Sequence, residues 1–460
     1  MKYISTRDSS KEFNFEQVFI KGLADDGGLF IPLSIKKFSE EEIKSMSRLS
    51  YNDLAKKIIL PFIDSFMTEK ELTEAVNKSY SVFRKDNVVD LINIGNSKIL
   101  ELFHGPTLAF KDIAMQLLGN FYEYYLNKNN KTINIVVATS GDTGSAAIDA
   151  IKGKKNINIF VLHPHNKISI VQRKLMSTTK DKNVFNIAIE GNFDDCQNLV
   201  KAMFADKKFS NSINMSGVNS INWARIIAQS VYYFYSYFLV KTNQPINFSV
   251  PTGNFGDIYA GYLAKKLGLP INKLIVATNE NNILHRAISD GEYKAEKVVQ
   301  TISPSMDIQI ASNFERLIYD LSDFDCNATK KIMSEIKESK KYIIPNDKIE
   351  KIQKNFLSAS LNDSEVLNII KSVYEEHKIV MDPHTAIGFG AINKVKTDGL
   401  NIVLGTAHPC KFPDAINDAI KIKPQLPKEL LSILEEKEEY QVISNDLENV
   451  KKFIKTKSLI

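Results

Sequence analysis

Cysteine is nearly absent from this sequence of 460 residues: Cys196, Cys326 and Cys410 are far apart, odd in number and form no C-x-x-C pair. That argues against a disulfide framework and against a cysteine-based zinc cluster. No metal centre is expected, and a reducing, cytoplasmic setting fits best. Arginine is scarce as well. Seven arginines stand among 59 cationic side chains, so 52 are lysines, and 54 acidic residues interleaved with them leave a net charge of only +5. Nucleic-acid binders gather Arg and Lys on one face, so no nucleic-acid partner is expected. Long apolar runs are also missing. The most apolar stretch, VYYFYSYFLV at 231–240, is about half of what a bilayer crossing needs and is rich in tyrosine. It reads as a buried helix, and no membrane partner is expected. The N-terminal MKYISTRDSSKEF has no apolar core of a secretory signal and carries acidic residues too early for a transit peptide.

What remains is ordinary globular composition, 43% hydrophobic and 25% charged. At roughly 150 residues per domain, the length suggests about three domains, or two with an extension. The informative pattern is local and recurs. INIVVAT at 133–139 reads as a buried strand, SGDTG follows, SAAIDAIKG reads as a helix closed by Gly153, and INIFVL at 157–162 as the next strand. INFSVPT at 246–252, GNFGD, a helix ending at Gly268 and KLIVAT at 273–278 repeat that grammar, and NIVLGT at 401–406 supplies a further strand running into AHPCKFPDAI. The fold class is therefore α/β, with doubly wound, mostly parallel sheets whose ligands gather at the carboxyl ends of the strands. The first hundred residues and the stretch 320–380 read as accessory helical or α+β portions. The last thirty read as a solvated helix and tail.

GNFGD, Gly253 to Asp257, lies between a strand and a helix, where backbone N–H groups and a helix start suit a phosphate. SGDTG, Ser140 to Gly144, has the same geometry with hydroxyls at Ser140 and Thr143, and suits a carboxylate. Each loop reads equally well as plain structure, a glycine turn or an N-cap cluster. Neither fits G-x-G-x-x-G or a Walker motif, so dinucleotide and NTP binding are not supported. Lys111 falls where a helix with apolar positions 113, 117, 118 and 121 begins. The positive end of the helix dipole disfavours an ammonium, which makes a neutral amine available for imine formation or proton transfer, and Asp112 partly opposes this. His104 and His408 read either as acid–base groups or as packed, hydrogen-bonded histidines. Trp223 and the tyrosines behind it read as core, and Cys410 as a small buried residue.

HGPTLAFKD, ATSGDTGSAA, SINWARI, PTGNFGD, DPHTAIG and GTAHPCKFP occur in the order found in threonine synthases, and YISTR and GLADDGGLFIP resemble that family's N-terminal region. The resemblance implies two doubly wound α/β subdomains of the tryptophan-synthase-β-like fold and a family-specific N-terminal region. The implied boundaries are an N-terminal region 1–95, a subdomain 96–240 with the lysine and SGDTG, a subdomain 241–430 with GNFGD and Thr406, and a helical tail 431–460. It also implies pyridoxal 5′-phosphate, held by Lys111 as a Schiff base. Gly253, Asn254, Phe255, Gly256 and Asp257 would cradle its phosphate, and Thr406 would meet its ring nitrogen. Ser140, Gly141, Asp142 and Thr143 would receive the substrate carboxylate. The substrate phosphate, a dianion, needs cationic partners, for which Arg225 and Lys174 are the candidates, although each also reads as a surface or structural residue. The implied activity is a carbon–oxygen lyase acting on phosphates, converting O-phospho-L-homoserine and water to L-threonine and phosphate as the last step of threonine biosynthesis, with no obligate protein partner. The same motifs would serve an amino-acid dehydratase or a phospholyase. A noncatalytic binder of phosphorylated ligands would keep the loops but has no need of Lys111.

Overall fold

The computed structural model describes residues 1–459. They fall into two units, one made of Met1–Asn77, Lys85–His104 and Ser220–Pro424, the other of Lys78–Arg84, Gly105–Asn219 and the residues from Gln425 onward.

In the second unit, the expected strand–helix–strand element is present. Ile133–Ala138 runs parallel to Ile157–Pro164, from Ile133 opposite Ile157 to Ala138 opposite Leu162, and the helix Asp142–Ile151 connects them. All eight residues of Ile157–Pro164 are buried, as a strand covered on both faces requires. The sheet is five-stranded and parallel, in the order 441–444, 184–190, 157–164, 133–138 and 215–216.

The first strand of that order corrects the expectation of a solvated tail. Gln441–Ser444 pairs with Val184–Glu190, and the helix Leu447–Lys457 buries Val450 and Ile454 in a core with Phe160, Ile187, Leu199 and Met203. Two apolar positions four apart, surrounded by lysines, make a stripe too narrow to stand out from a surface helix in sequence.

The first unit holds a six-stranded sheet in the order 356–360, 271–278, 246–251, 400–405, 97–101 and 90–94. Its first five strands are parallel and the last is an antiparallel edge. Ile246–Pro251 and Leu400–Gly405 are neighbours in register, Ile246 opposite Leu400 and Ser249 opposite Val403. Parallel neighbours finish on the same edge, so the loops beginning at Thr252 and Thr406 open side by side at the carboxyl end. Within the stretch 320–380, Phe356–Ser360 proves to be a strand of this main sheet as well as the neighbour of charged helices.

All of the run 231–240 but its last residue, Val240, lies in the helix Trp223–Leu239, largely buried as expected. Trp223 is fully buried against Tyr3 and Phe62, with ring centroids 6.2 Å away in each case. The segment expected as one subdomain, 96–240, is split: Ser97–Glu101 and Trp223–Leu239 belong with the GNFGD unit. Pairing of Ser97–Glu101 with Leu400–Gly405, about three hundred residues on, decides this, and local pattern carries no trace of so distant a partner. Among the described residues, no helix is long and apolar enough to cross a membrane.

Candidate active site

Lys111 is the first residue of the helix Lys111–Asn129, whose start has no side-chain cap. Its Nζ stands 3.4 Å from Asp142 Oδ2 and 5.4 Å from the centre of the Phe110 ring. Lys111 and Asp142 side chains are only 12% and 5% exposed, so this is a nearly dry ion pair. Asp112, expected to oppose the dipole, turns the other way: it accepts from Thr107 N at 2.8 Å and from Thr107 Oγ1 at 2.5 Å. Gly105 leaves room for it, since a Cβ there would lie 2.4 Å from Asp112 Cβ. The HGPT turn is thereby tied to the helix that carries Lys111, and Asp142 is its acidic neighbour.

Asp142 opens the helix Asp142–Ile151, with Gly141 as N-cap at φ 133°, a backbone conformation L side chains rarely adopt. Thr139 Oγ1 accepts the N–H groups of Gly141 and Gly144, each at 2.9 Å, so those two donors stabilise the loop itself. Ser140 and Thr143 are half-buried. Lys174 is committed elsewhere: its Nζ donates to Glu436 O at 2.6 Å and lies 3.9 Å from Glu438. Arg173 grips Glu438 with two hydrogen bonds, of 2.8 and 3.1 Å.

In the other unit, the helix Gly256–Lys266 begins behind Phe255, which is left-handed at φ 61° and provides no side-chain cap. The loop is held from below by Asn313, whose N and Nδ2 donate to Asn254 O at 3.1 and 3.0 Å. A Cβ on Gly253 would press on Ser305 O at 3.0 Å, so the backbone there leaves little room for any side chain. Asp257, in the first turn, directs its carboxylate away from the loop mouth into a buried cluster. Tyr232 and Tyr233 hydroxyls both donate to Oδ1, and Tyr233 also to Asp257 O at 3.0 Å. Burial pushes the Asp257 carboxyl up to about 6, against the opposing effect of the tyrosine hydrogen bonds and of nearby Arg225. Arg225 is itself buried, which brings its guanidinium down to about 10, and its Nε has no hydrogen-bond partner.

Thr406 follows the strand Leu400–Gly405 and is buried. Its N–H donates to Thr385 Oγ1 at 3.3 Å, and Thr385 in turn donates to Asp382. Asp382 caps the helix Pro383–Lys394 and also holds His384 Nδ1 at 2.8 Å. This Asp382–Thr385 support is the part of the site that residue-by-residue reading missed. DPHTAIG shows a helix start, Asp then Pro, but not that Thr385 reaches a strand end 21 residues later. His104 and His408 are both engaged, His104 with Glu101 at 3.0 Å and His408 Nδ1 accepting Cys410 N at 3.2 Å. Asp90, Glu101 and His104 bring ligand-type atoms within 4.8 Å of one another, but Lys85 already neutralises Asp90 at 2.9 Å.

Each unit by itself holds groups of the kind pyridoxal 5′-phosphate needs: in one, a lysine amine in a nearly dry ion pair; in the other, an uncapped helix start flanked by glycine and a buried neutral hydroxyl at the end of a neighbouring strand.

Comparison with known proteins agrees with that chemistry. Residues 2–80 match the family described as threonine synthase N terminus, residues 100–404 the pyridoxal-phosphate dependent enzymes, and residues 385–454 the threonine synthase C-terminal family. The chain is similar to the threonine synthase of Pseudomonas aeruginosa, with 45% identity over 99% of this chain and 98% of that protein. Among solved structures, the PLP-bound threonine synthase from Brucella melitensis superposes with a TM-score of 0.97 at 43% identity, covering 100% of both chains. The yeast threonine synthase gives 0.95 at 42% identity, covering 99% of this chain and 98% of that one.

Proposed function

This chain belongs to the threonine synthase family of pyridoxal-phosphate-dependent lyases, and from that premise we propose that it converts O-phospho-L-homoserine and water to L-threonine and phosphate in the cytoplasm, with Lys111 as its reactive residue. The single observation that carries the assignment of Lys111 is its ammonium 3.4 Å from Asp142 at an uncapped helix start. Pyridoxal phosphate, when bound, supplies an electron sink for the negative charge left at the substrate Cα. Everything else falls to the chain's own side chains and backbone.

Lys111 would hold the cofactor aldehyde at rest. As a free amine, its Nζ would take the Cα proton and exchange protons at the neighbouring carbons. Asp142 keeps that amine in place and balances its charge whenever it is protonated. The uncapped first turn after Phe255, with Gly253, Asn254, Gly256 and the Asp257 backbone, would bind the cofactor phosphate, since helix-start N–H groups favour an anion. Thr406 would face the ring nitrogen with a neutral hydroxyl, which leaves that nitrogen largely unprotonated. Ser140, Gly141, Asp142 and Thr143 would meet the substrate carboxylate. For the substrate phosphate, Arg225 is proposed over Lys174, because Arg225 Nε has no hydrogen-bond partner among the described residues while Lys174 is bonded to Glu436.

Incubation of the purified holoenzyme with O-phospho-L-homoserine tests this reading. Threonine and phosphate in equal amounts are expected. Release of 2-oxobutyrate and ammonia would make the protein a dehydratase or phospholyase, and no turnover with retained ligand binding would make it a binder.

A further inference from the structure

Gln172 lies buried on the short helix Ile170–Ser177, behind its N-cap Ser169. Ser169-x-x-Gln172 is the spacing of a capping box, in which the glutamine side chain would return to the N-cap backbone N–H. It goes elsewhere. Gln172 Nε2 donates to Asp142 Oδ1 at 2.9 Å, and Oε1 accepts from Ser169 Oγ at 3.0 Å. The network fixes which way the amide points. Ser169 Oγ already accepts the Gln172 N–H at 3.3 Å, so its hydrogen is available for Oε1 and the NH₂ group is left for the carboxylate.

Room for this contact is provided by Gly141. A Cβ at that position would stand 2.7 Å from Gln172 Cδ, so any side chain there would expel the amide. The second oxygen of the same carboxylate, Asp142 Oδ2, is the one 3.4 Å from Lys111 Nζ. A carboxylate attached at one carbon rotates in a broad, shallow well. Held at Oδ1, it presents Oδ2 in one direction.

We propose that Gln172 is a positioning residue for the reaction: it holds Asp142 Oδ1 so that Oδ2 stays turned on Lys111, and thereby keeps the lysine amine where it exchanges protons. The inference rests on Lys111 being the reactive lysine. Its chemical content is preorganisation, a hydrogen bond made before substrate arrives so that no reorientation is needed during proton transfer.

The test uses the holoenzyme and the variants Gln172→Leu and Gln172→Glu, each alone and in an Asp142→Asn background, with Lys111→Ala as reference. Gln172→Leu keeps the length and loses the donor. Gln172→Glu keeps the shape and sets a second carboxylate against the first, so the inference stays testable if the leucine variant folds poorly. Either change in the native background is expected to lower kcat roughly ten- to hundredfold, the effect of losing one hydrogen bond to a charged group, with KM little altered. The visible absorbance of the bound cofactor should change with it. In the Asp142→Asn background the same changes should add almost nothing. Three results would overturn the proposal: native kcat and absorbance in both Gln172 variants, an equal loss in the two backgrounds, or a loss that merely follows the melting temperature and cofactor content. If Lys111→Ala keeps the cofactor's lysine-bound absorbance, the underlying assignment of Lys111 fails. If Lys111→Ala loses that absorbance while the Gln172 variants behave as native, only the positioning role fails.

Discussion

Thr385 Oγ1 accepts the backbone N–H of Thr406 at 3.3 Å while giving its own hydrogen to Asp382. A helix cap and a strand end are thus joined through one hydroxyl, and the residue proposed to face the cofactor ring is fixed by a side chain with no other evident task. The buried carboxylate of Asp382 serves the helix start and Thr385 together, so it has no slack to give.

Replacing Thr385 by Val should therefore weaken cofactor binding while the chain still folds. Loss of one buried hydrogen-bonding hydroxyl costs about 1–3 kcal/mol, so roughly tenfold weaker binding of pyridoxal phosphate to the apo-protein is expected. Thr385→Ser should restore it. Fluorescence titration of the apo-protein measures the difference, and unchanged affinity in the valine variant would count against the Thr385 support.

A second prediction concerns pH. Burial raises the folded-state proton affinity of Asp257 to about 6 from an ordinary 3.8. The folded protein thus holds a proton that the unfolded chain releases between those values. Stability contributed by this group is present below the ordinary carboxylate range and is lost as pH rises through about 6, a change on the order of 2–3 kcal/mol. Melting temperatures of the native protein and of Asp257→Asn, compared from pH 4 to pH 8, should shift relative to each other in the direction that favours the variant at high pH. A constant gap would contradict the buried setting of Asp257.

The third concerns the segment after Gln425. Glu438 accepts from Arg173 and from Ser177 Oγ, the latter at 2.7 Å. Burial opposes its charge, but these hydrogen bonds and Lys174 outweigh that and hold its carboxyl below the ordinary value. Its contribution is full above the ordinary glutamate range and is lost as pH falls through the lowered value. Glu438→Ala should cost about 1–3 kcal/mol and speed hydrogen exchange in residues 170–178 and 436–444. Exchange accelerated uniformly along the chain would instead indicate a global loss of stability.

Sequence reading reached the strands, the glycine loops and the helix starting at Lys111 because each is a local pattern: an apolar run, a turn, a change of period. It reached the threonine synthase family through the order of several motifs, which no single stretch supplies. It did not reach Gln172, Asp382 or Thr385, whose hydrogen bonds join different elements. Ser169-x-x-Gln172 even points to the wrong partner, since the helix-capping pattern is local and Asp142 lies 30 residues away. Asp257 shows the opposite error. It sits in the glycine loop by sequence, yet its side chain faces Tyr232 and Tyr233, because alternate directions along a helix's first turn are invisible until the packing of the neighbouring helix is known. Of the two readings of Lys174, phosphate partner or structural residue, its bond to Glu436 favours the structural one, and sequence could not decide because that acceptor comes from a segment 262 residues later.

The edge strand Gln441–Ser444 also bears on the order in which the protein is made. Its partner, Val184–Glu190, emerges from the ribosome more than two hundred residues earlier, and the sheet it completes has to wait with an open edge while the whole intervening unit is synthesised. A chain interrupted anywhere before residue 441 would leave that edge and the apolar floor under Val450 and Ile454 uncovered, so that the Lys111 unit closes only once residues 441–457 have been made.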